Sequence, residues 1–267
     1  MFRISFVLKI AIFATGCAGI VAEFVLSTLA TYLIGNAVFQ WTIVMSLMLF
    51  AMGMGSRLSK LFRYRLLDTF ILVEFGLSIL CSSSAVLAYG LAAYTAHINI
   101  IIYLVAMVIG ALIGFEIPMV MRLNETHEEL RTNIAAVMEK DYYGSLLGGL
   151  FFAFFALPYL GLTYTPIILG AINFIVASLL LWSFFHLIKR KKVVVSAFAA
   201  SCLFLIFLAV LAKPIIMYSE QRQYKDKIIY AQQTPYQKIV ITQWKEYYWL
   251  FINAFGPPGN EAFSQSG

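Results

Sequence analysis

The distribution of apolar and polar positions along the chain is dominated by long apolar runs separated by short polar breaks, rather than by the narrow stripes of helices that bury one face and wet the other. Seven runs stand out, at residues 4–34, 38–61, 66–93, 99–121, 142–160, 165–188 and 193–216. Each is close to or longer than the roughly 20 residues a helix needs to cross a bilayer. Helix is the state expected for all of them, because an isolated strand in hydrocarbon leaves its backbone groups unpaired. The first run is too long for a signal peptide and has no small-residue cleavage site followed by a soluble domain, so it is read as a retained helix. Between the fourth and fifth runs, residues 124–140 place Leu130, Ile134, Val137 and Met138 among Glu125, Glu128, Glu129 and Arg131. That spacing predicts an amphipathic helix lying on the membrane face, or simply a solvated connecting helix.

After Met217 the pattern changes. A polar stretch, Ser219 to Lys227, leads into three segments rich in Ile, Val, Thr, Tyr, Trp and Phe at 227–233, 236–243 and 247–253, which read as strands. Gly256, Pro257, Pro258 and Gly259 predict no further element. The expected fold class is therefore an all-α integral membrane bundle of about seven transmembrane helices with a short β-rich C-terminal tail. Its boundaries are 1–217 for the helical domain and 218–267 for the beginning of a β-domain. Three short strands without a covering helix are marginal as an independent unit.

Composition agrees with this reading. Of 267 residues, 61% are hydrophobic and 12% charged, against about 45–50% and 25% in soluble domains. The net charge of +6 does not indicate a nucleic-acid partner, because its placement is that of a membrane protein. Arg3 and Lys9, then Arg57 to Arg65, Arg122 to Lys140 and Lys189 to Lys192 place thirteen of the nineteen basic residues on one side, whereas the connections after the first, third and fifth runs carry none. The amino terminus is expected in the cytoplasm and, with an odd number of crossings, the tail outside. Arg222, Lys225, Lys227, Lys238 and Lys245 in and before the tail weigh against that last assignment. The bilayer is the expected partner, with a homo-oligomer or a soluble enzyme as further possibilities.

Candidate chemistry is confined to a few charges inside the apolar runs. Glu23, Glu74 and Glu116 lie well within them and Asp141 at the mouth of the fifth. A carboxylate at mid-bilayer costs several kcal/mol unless it faces a cavity, meets a base or carries a proton. Together with Arg57 these residues form a candidate intramembrane polar cavity for protons, small cations or polyamines. Glu23 shares a face with Gly16 and Gly19, Glu74 heads a stripe of Ser78, Cys81 and Ser82, and Glu116 precedes Pro118. The competing reading is packing: intramembrane Glu can hydrogen-bond between helices, and the pairs Gly110/Gly114 and Gly144/Gly148 are a common close-packing device. Cys17, Cys81 and Cys202 have neither disulfide nor metal-ligand spacing. His97, His127 and His186 suggest no metal site, and no P-loop, dinucleotide fingerprint or nucleophile elbow is present.

The order Gly16-Cys17-x-Gly19…Glu23, Gly53-x-Gly55-Ser56, Val73-Glu74, Glu116-Ile117-Pro118 and Asp141-Tyr142-x-Gly144-Ser145-Leu146-x-Gly148-Gly149 resembles the integral-membrane region of bacterial membrane-bound spermidine synthase-like proteins. In that family a helical membrane region precedes a soluble polyamine aminopropyltransferase domain. Thr234-Pro235-Tyr236-Gln237-Lys238-Ile239-Val240-Ile241 resembles the opening of the aminopropyltransferase β-domain, and Leu250 to Asn253 its next strand. The resemblance implies an inner-membrane location and a role for Gln237 in holding decarboxylated S-adenosylmethionine, the co-substrate of the full-length family. It also implies a Gly-rich loop and catalytic aspartates further on, where this sequence instead reads AFGPPGNEAFSQSG. The expectation is a membrane region cut off before its catalytic domain, with no cofactor of its own and inactive in aminopropyl transfer as written. Two alternatives stay open: a transporter of small cations or polyamines, and a non-catalytic scaffold for a separate soluble enzyme.

Overall fold

The computed structural model describes residues 2–95, 97–125, 129–234, 238–252 and 262–263. Seven long helices are followed by a small antiparallel sheet: α1 (Phe2–Ile34), α2 (Ala37–Leu58), α3 (Leu66–Ala92), α4 (Ile98–Asn124), α5 (Leu130–Phe151), α6 (Gly161–Ser183), α7 (Lys191–Gln223), then β1 (Lys227–Gln233), β2 (Lys238–Trp244), β3 (Tyr247–Ile252) and β4 (Ala262–Phe263). Among the described residues, six helical runs are long and apolar enough to cross a membrane, the fifth being the 54-residue stretch Leu130–Ser183.

That stretch differs from the expected division. The amphipathic segment and the fifth apolar run are one helix, because Lys140 and Asp141 are accommodated in its side rather than ending it. The break comes later. Phe152–Leu160 widens into a π-helical stretch containing Pro158, whose ring nitrogen has no hydrogen for the ladder. Gly161, at φ 62° and ψ −173°, then turns the chain into α6. Only glycine occupies that backbone region readily. Elsewhere α6 stops at Ser183 and α7 continues through Pro214 to Gln223, while β2 runs to Trp244 and the short β4 adds an element where none was expected.

The polar breaks are secured locally. Between α1 and α2 the Gly35 amide donates to the Thr31 carbonyl at 2.9 Å and the Asn36 side chain accepts from the Phe39 amide. The Arg122 guanidinium donates to the carbonyls of Ser59 and Phe62, each at 2.9 Å, satisfying orphan groups beyond the end of α2. The Asn124 amide donates to Asn133 Oδ1 at 2.9 Å, which ties α4 to α5. Buried Asp68 accepts from the backbone amides of Lys189 and Arg190 and anchors the α6–α7 connection to α3.

Small residues set the helix spacing. A Cβ on Gly114 would overlap the Met52 carbonyl, one on Gly55 the Ala111 carbonyl, and one on Gly144 the Phe13 carbonyl. The α2–α4 and α1–α5 pairs are thus in backbone contact at the Gly-x-x-x-Gly sites. The apolar interior forms two clusters. One runs through Ala18–Leu33, Leu77–Tyr89 and Ile98–Ile109, the other through Leu8–Ile12, Phe70–Phe75, Phe115–Val120 and Val176–Val194.

The sheet is a meander in the order β1-β2-β3-β4, with a bulge between Ile228 and Tyr230. Along β2 the buried positions alternate as Lys238, Val240 and Thr242, the period of a half-buried strand. Tyr32 Oη donates to the Thr234 carbonyl at 2.5 Å, and Gln233 Nε2 donates to Tyr89 Oη at 3.1 Å while its Oε1 accepts from the Leu162 amide at 3.0 Å. These partners lie at the end of α1, the end of α3 and the start of α6. The sheet is therefore seated on the end of the bundle away from the basic connections.

Candidate functional site

The seam between the two apolar clusters is polar. Thr15 of α1, Glu74 and Cys81 of α3, Glu116 of α4 and Asn173 of α6 are drawn together there, with Asp141 of α5 acting on Glu116. The chain positions them by interrupting each apolar run at one level: Thr15 falls between Ile12 and Ala18, Glu116 between Phe115 and Met119, Asn173 between Leu169 and Val176. Close approach of α1 and α5 brings in Asp141, whose Oδ1 would lie 2.7 Å from a Cβ placed on Gly16. Ser145 Oγ donates to the Gly16 carbonyl at 3.2 Å on the same helix pair.

Glu74 is wholly buried and Glu116 2% exposed. Their carboxyl groups are within hydrogen-bonding reach of one another, but both are acceptors. Neither oxygen of Glu74, nor Oε1 of Glu116, has a donor, and Asn173 Oδ1 and Ser78 Oγ are likewise without a partner. Asn173 Nδ2 points to Cys81 Sγ at 3.9 Å. The gap bounded by Thr15, Glu116, Asn173 and Cys81 is too small for a water molecule. Buried polar atoms are nearly always paired, so this many acceptors without donors at one level is, among the described residues, the least satisfied place.

Of the residues singled out from the sequence, Glu74, Glu116 and Asp141 come together. Glu23 is buried further along α1 without a charged neighbour that acts on it, and Arg57 is exposed on α2. Gln237 lies outside the described residues. Thr15 and Asn173 complete the cluster. Sequence reasoning passed over both, although Asn173 is a lone amide in an apolar run. Among the described residues no group of His, Cys, Asp and Glu is arranged to hold a metal ion.

A second polar cluster joins the sheet to the bundle. Lys238 Nζ is 2.5 Å from Glu220 Oε1 and 4.7 Å from the Tyr89 ring centre. Burial pushes the Lys238 ammonium below its usual range, opposed by the adjacent Glu220 carboxylate. Burial, then the same Glu220, pushes the Tyr224 hydroxyl up, and its ring packs edge-on against Phe251 at 5.0 Å. Glu220, Lys213, Gln233 and Lys238 border a cavity of about 430 Å³ open at this junction. Neither Glu220 nor Gln233 carries a sequence motif, and only the folded register reveals them.

No family model matches the chain, and no solved structure matches it. Curated proteins do. The chain is 45% identical over 254 residues to a polyamine aminopropyltransferase 2 of Aquifex aeolicus, covering 94% of this chain and 50% of that protein. It is 32% identical to a polyamine aminopropyltransferase of Leptospira interrogans over 92% of this chain and 49% of the relative. Polyamine aminopropyltransferase 1 of Streptomyces coelicolor is 34% identical over 89% of this chain and 46% of its own length. The chain thus spans about half the length of the curated relatives it matches, and those homologues are polyamine aminopropyltransferases of the spermidine synthase family.

Proposed function

We propose that this chain is the membrane-embedded portion of a polyamine aminopropyltransferase, with β1 to β3 forming the first layer of its soluble domain. The observation that carries the reading is the 45% identity extending over 94% of the chain, helices and sheet together. Membrane insertion is supported by six helical runs of sufficient length and apolarity and by outward-facing Leu49, Phe50, Leu104, Phe154, Leu203 and Val210. Such a continuous apolar exterior is unfavourable in water and suited to lipid. In this reading the bundle anchors the enzyme, and transfer of the aminopropyl group from decarboxylated S-adenosylmethionine to an amine belongs to the complete protein. Gln237 is the one residue here assigned to the co-substrate, on the resemblance of its sequence motif.

The bundle and sheet described here do not themselves line up a donor carbon with an attacking amine, and such alignment is where much of the rate of a two-substrate transfer arises. The test is to read the nucleotide sequence that follows the codon for Gly267 in the source genome. A Gly-rich loop followed by an Asp-rich segment, in any frame, is the expected result. Their absence from every frame would remove aminopropyl transfer from this locus.

A further inference from the structure

We propose that Glu74 and Glu116 form a proton-binding site in the centre of the bundle, loaded through Asp141. The inference goes beyond the aminopropyltransferase reading and does not depend on it. Three observations carry it. First, the level is overloaded with acceptors: both oxygens of Glu74, Oε1 of Glu116 and Oδ1 of Asn173 have no donor. A proton turns one carboxylate oxygen into an O–H donor aimed at the facing carboxyl, so it relieves two unpaired atoms at once.

Second, nothing larger fits. The gap beside Glu116 and Asn173 does not admit a water molecule, which excludes a hydrated cation or the chain of a polyamine from the packed arrangement. Third, the groups acting on the pair are acidic or neutral. Glu116 feels Asp141 from α5, Thr15 from α1 and Glu74 from α3, and Cys81 of α3 feels both glutamates; no basic side chain among the described residues acts on them. The Thr15 hydroxyl donates to the Ile12 carbonyl at 3.1 Å. Two adjacent buried carboxylates with no counter-cation repel each other, and a shared proton removes that repulsion.

Asp141 is only half-buried and lies towards the end of the bundle that carries the basic connections. It accepts a proton from solvent on that side and passes it to Glu116, returning to the carboxylate as Glu116 becomes the acid, so charge and atoms balance. The bound proton joins α3, which packs on α6 and α7, to α4, which packs on α2.

The experiment is infrared spectroscopy of the purified full chain in lipid at neutral pH, followed through exchange into D2O. The expected result is a protonated-carboxyl C=O band that downshifts on deuteration, with a component that is lost or shifted in both Glu74→Gln and Glu116→Gln and is unchanged in Glu23→Gln. Raising NaCl or adding putrescine should leave it unchanged. Glu116→Asp retains a carboxyl and should move the band rather than abolish it, which keeps the test decisive if a Gln variant fails to fold. Absence of the band, an unchanged band in either Gln variant, an unmoved band in Glu116→Asp or its displacement by Na⁺ or putrescine would overturn the site. Asp141→Asn should slow the deuterium shift, and an unaltered rate would overturn the loading route.

Discussion

Lys238, whose side chain is 3% exposed, has the Glu220 carboxylate and the face of Tyr89 beside it. Removing one partner of a buried pair strands the other charge, at a cost of about 3–5 kcal/mol, whereas replacing both by apolar groups is frequently neutral. Lys238→Met and Glu220→Leu should each lower the thermal midpoint sharply and the double variant much less, as measured by a double-mutant cycle. The pH dependence has a definite sign. Because the folded-state pKa of Lys238 is depressed, the unfolded chain holds that proton more tightly. Its penalty is therefore present at neutral pH and relieved as pH rises from the depressed value towards the ~10.4 of free lysine. Tyr224, shifted upward, acts oppositely only from its unfolded value near 10 onward. Thermal stability followed upward from neutral pH should therefore rise relative to Lys238→Met, a comparison in which the Tyr224 contribution cancels.

At the level of elements, glycines that look alike in sequence have opposite roles. Gly53 has open space where a Cβ would go, while Gly114 is pressed against the Met52 backbone. Gly53→Ala should stabilise α2 by up to about 1 kcal/mol through helix propensity, and Gly114→Ala should destabilise by forcing α2 and α4 apart. Thermal melts of the two single variants decide it. The same contrast marks what could be read in advance. The long helices were legible because an uninterrupted apolar run allows little else, and the strands at 227 and 247 because β-branched and aromatic residues cluster there. The fusion of the amphipathic segment with α5 was not legible, since Glu139, Lys140 and Asp141 have the appearance of a boundary. Of the carboxylates, Glu74, Glu116 and Asp141 were legible as chemistry. That Arg57 and Glu23 stand apart depends on helix rotation and depth, which charge counting does not report.

For the whole molecule, the arrangement of basic connections and the seat of the sheet make a joint prediction. With Cys17, Cys81 and Cys202 replaced by Ser, a single cysteine at Arg63 should be protected from an impermeant thiol reagent in intact cells, and one at Tyr94 should be labelled. Labelling of both, or the reverse pattern, would contradict the proposed orientation and with it the side on which the sheet lies.

The seat of the sheet also has a mechanical meaning. Gln233 reaches both the Tyr89 hydroxyl and the Leu162 amide just past the Gly161 turn, Thr234 is held by Tyr32, and Lys238 by Glu220. Bonds to α1, α3, α6 and α7 leave β1 and β2 no free axis about which to swing. A body attached through this sheet would behave as a turret bolted at four points rather than as a ball on a chain. Its opening would then face a fixed direction relative to the helix axes, and its working motions would have to come from its own loops.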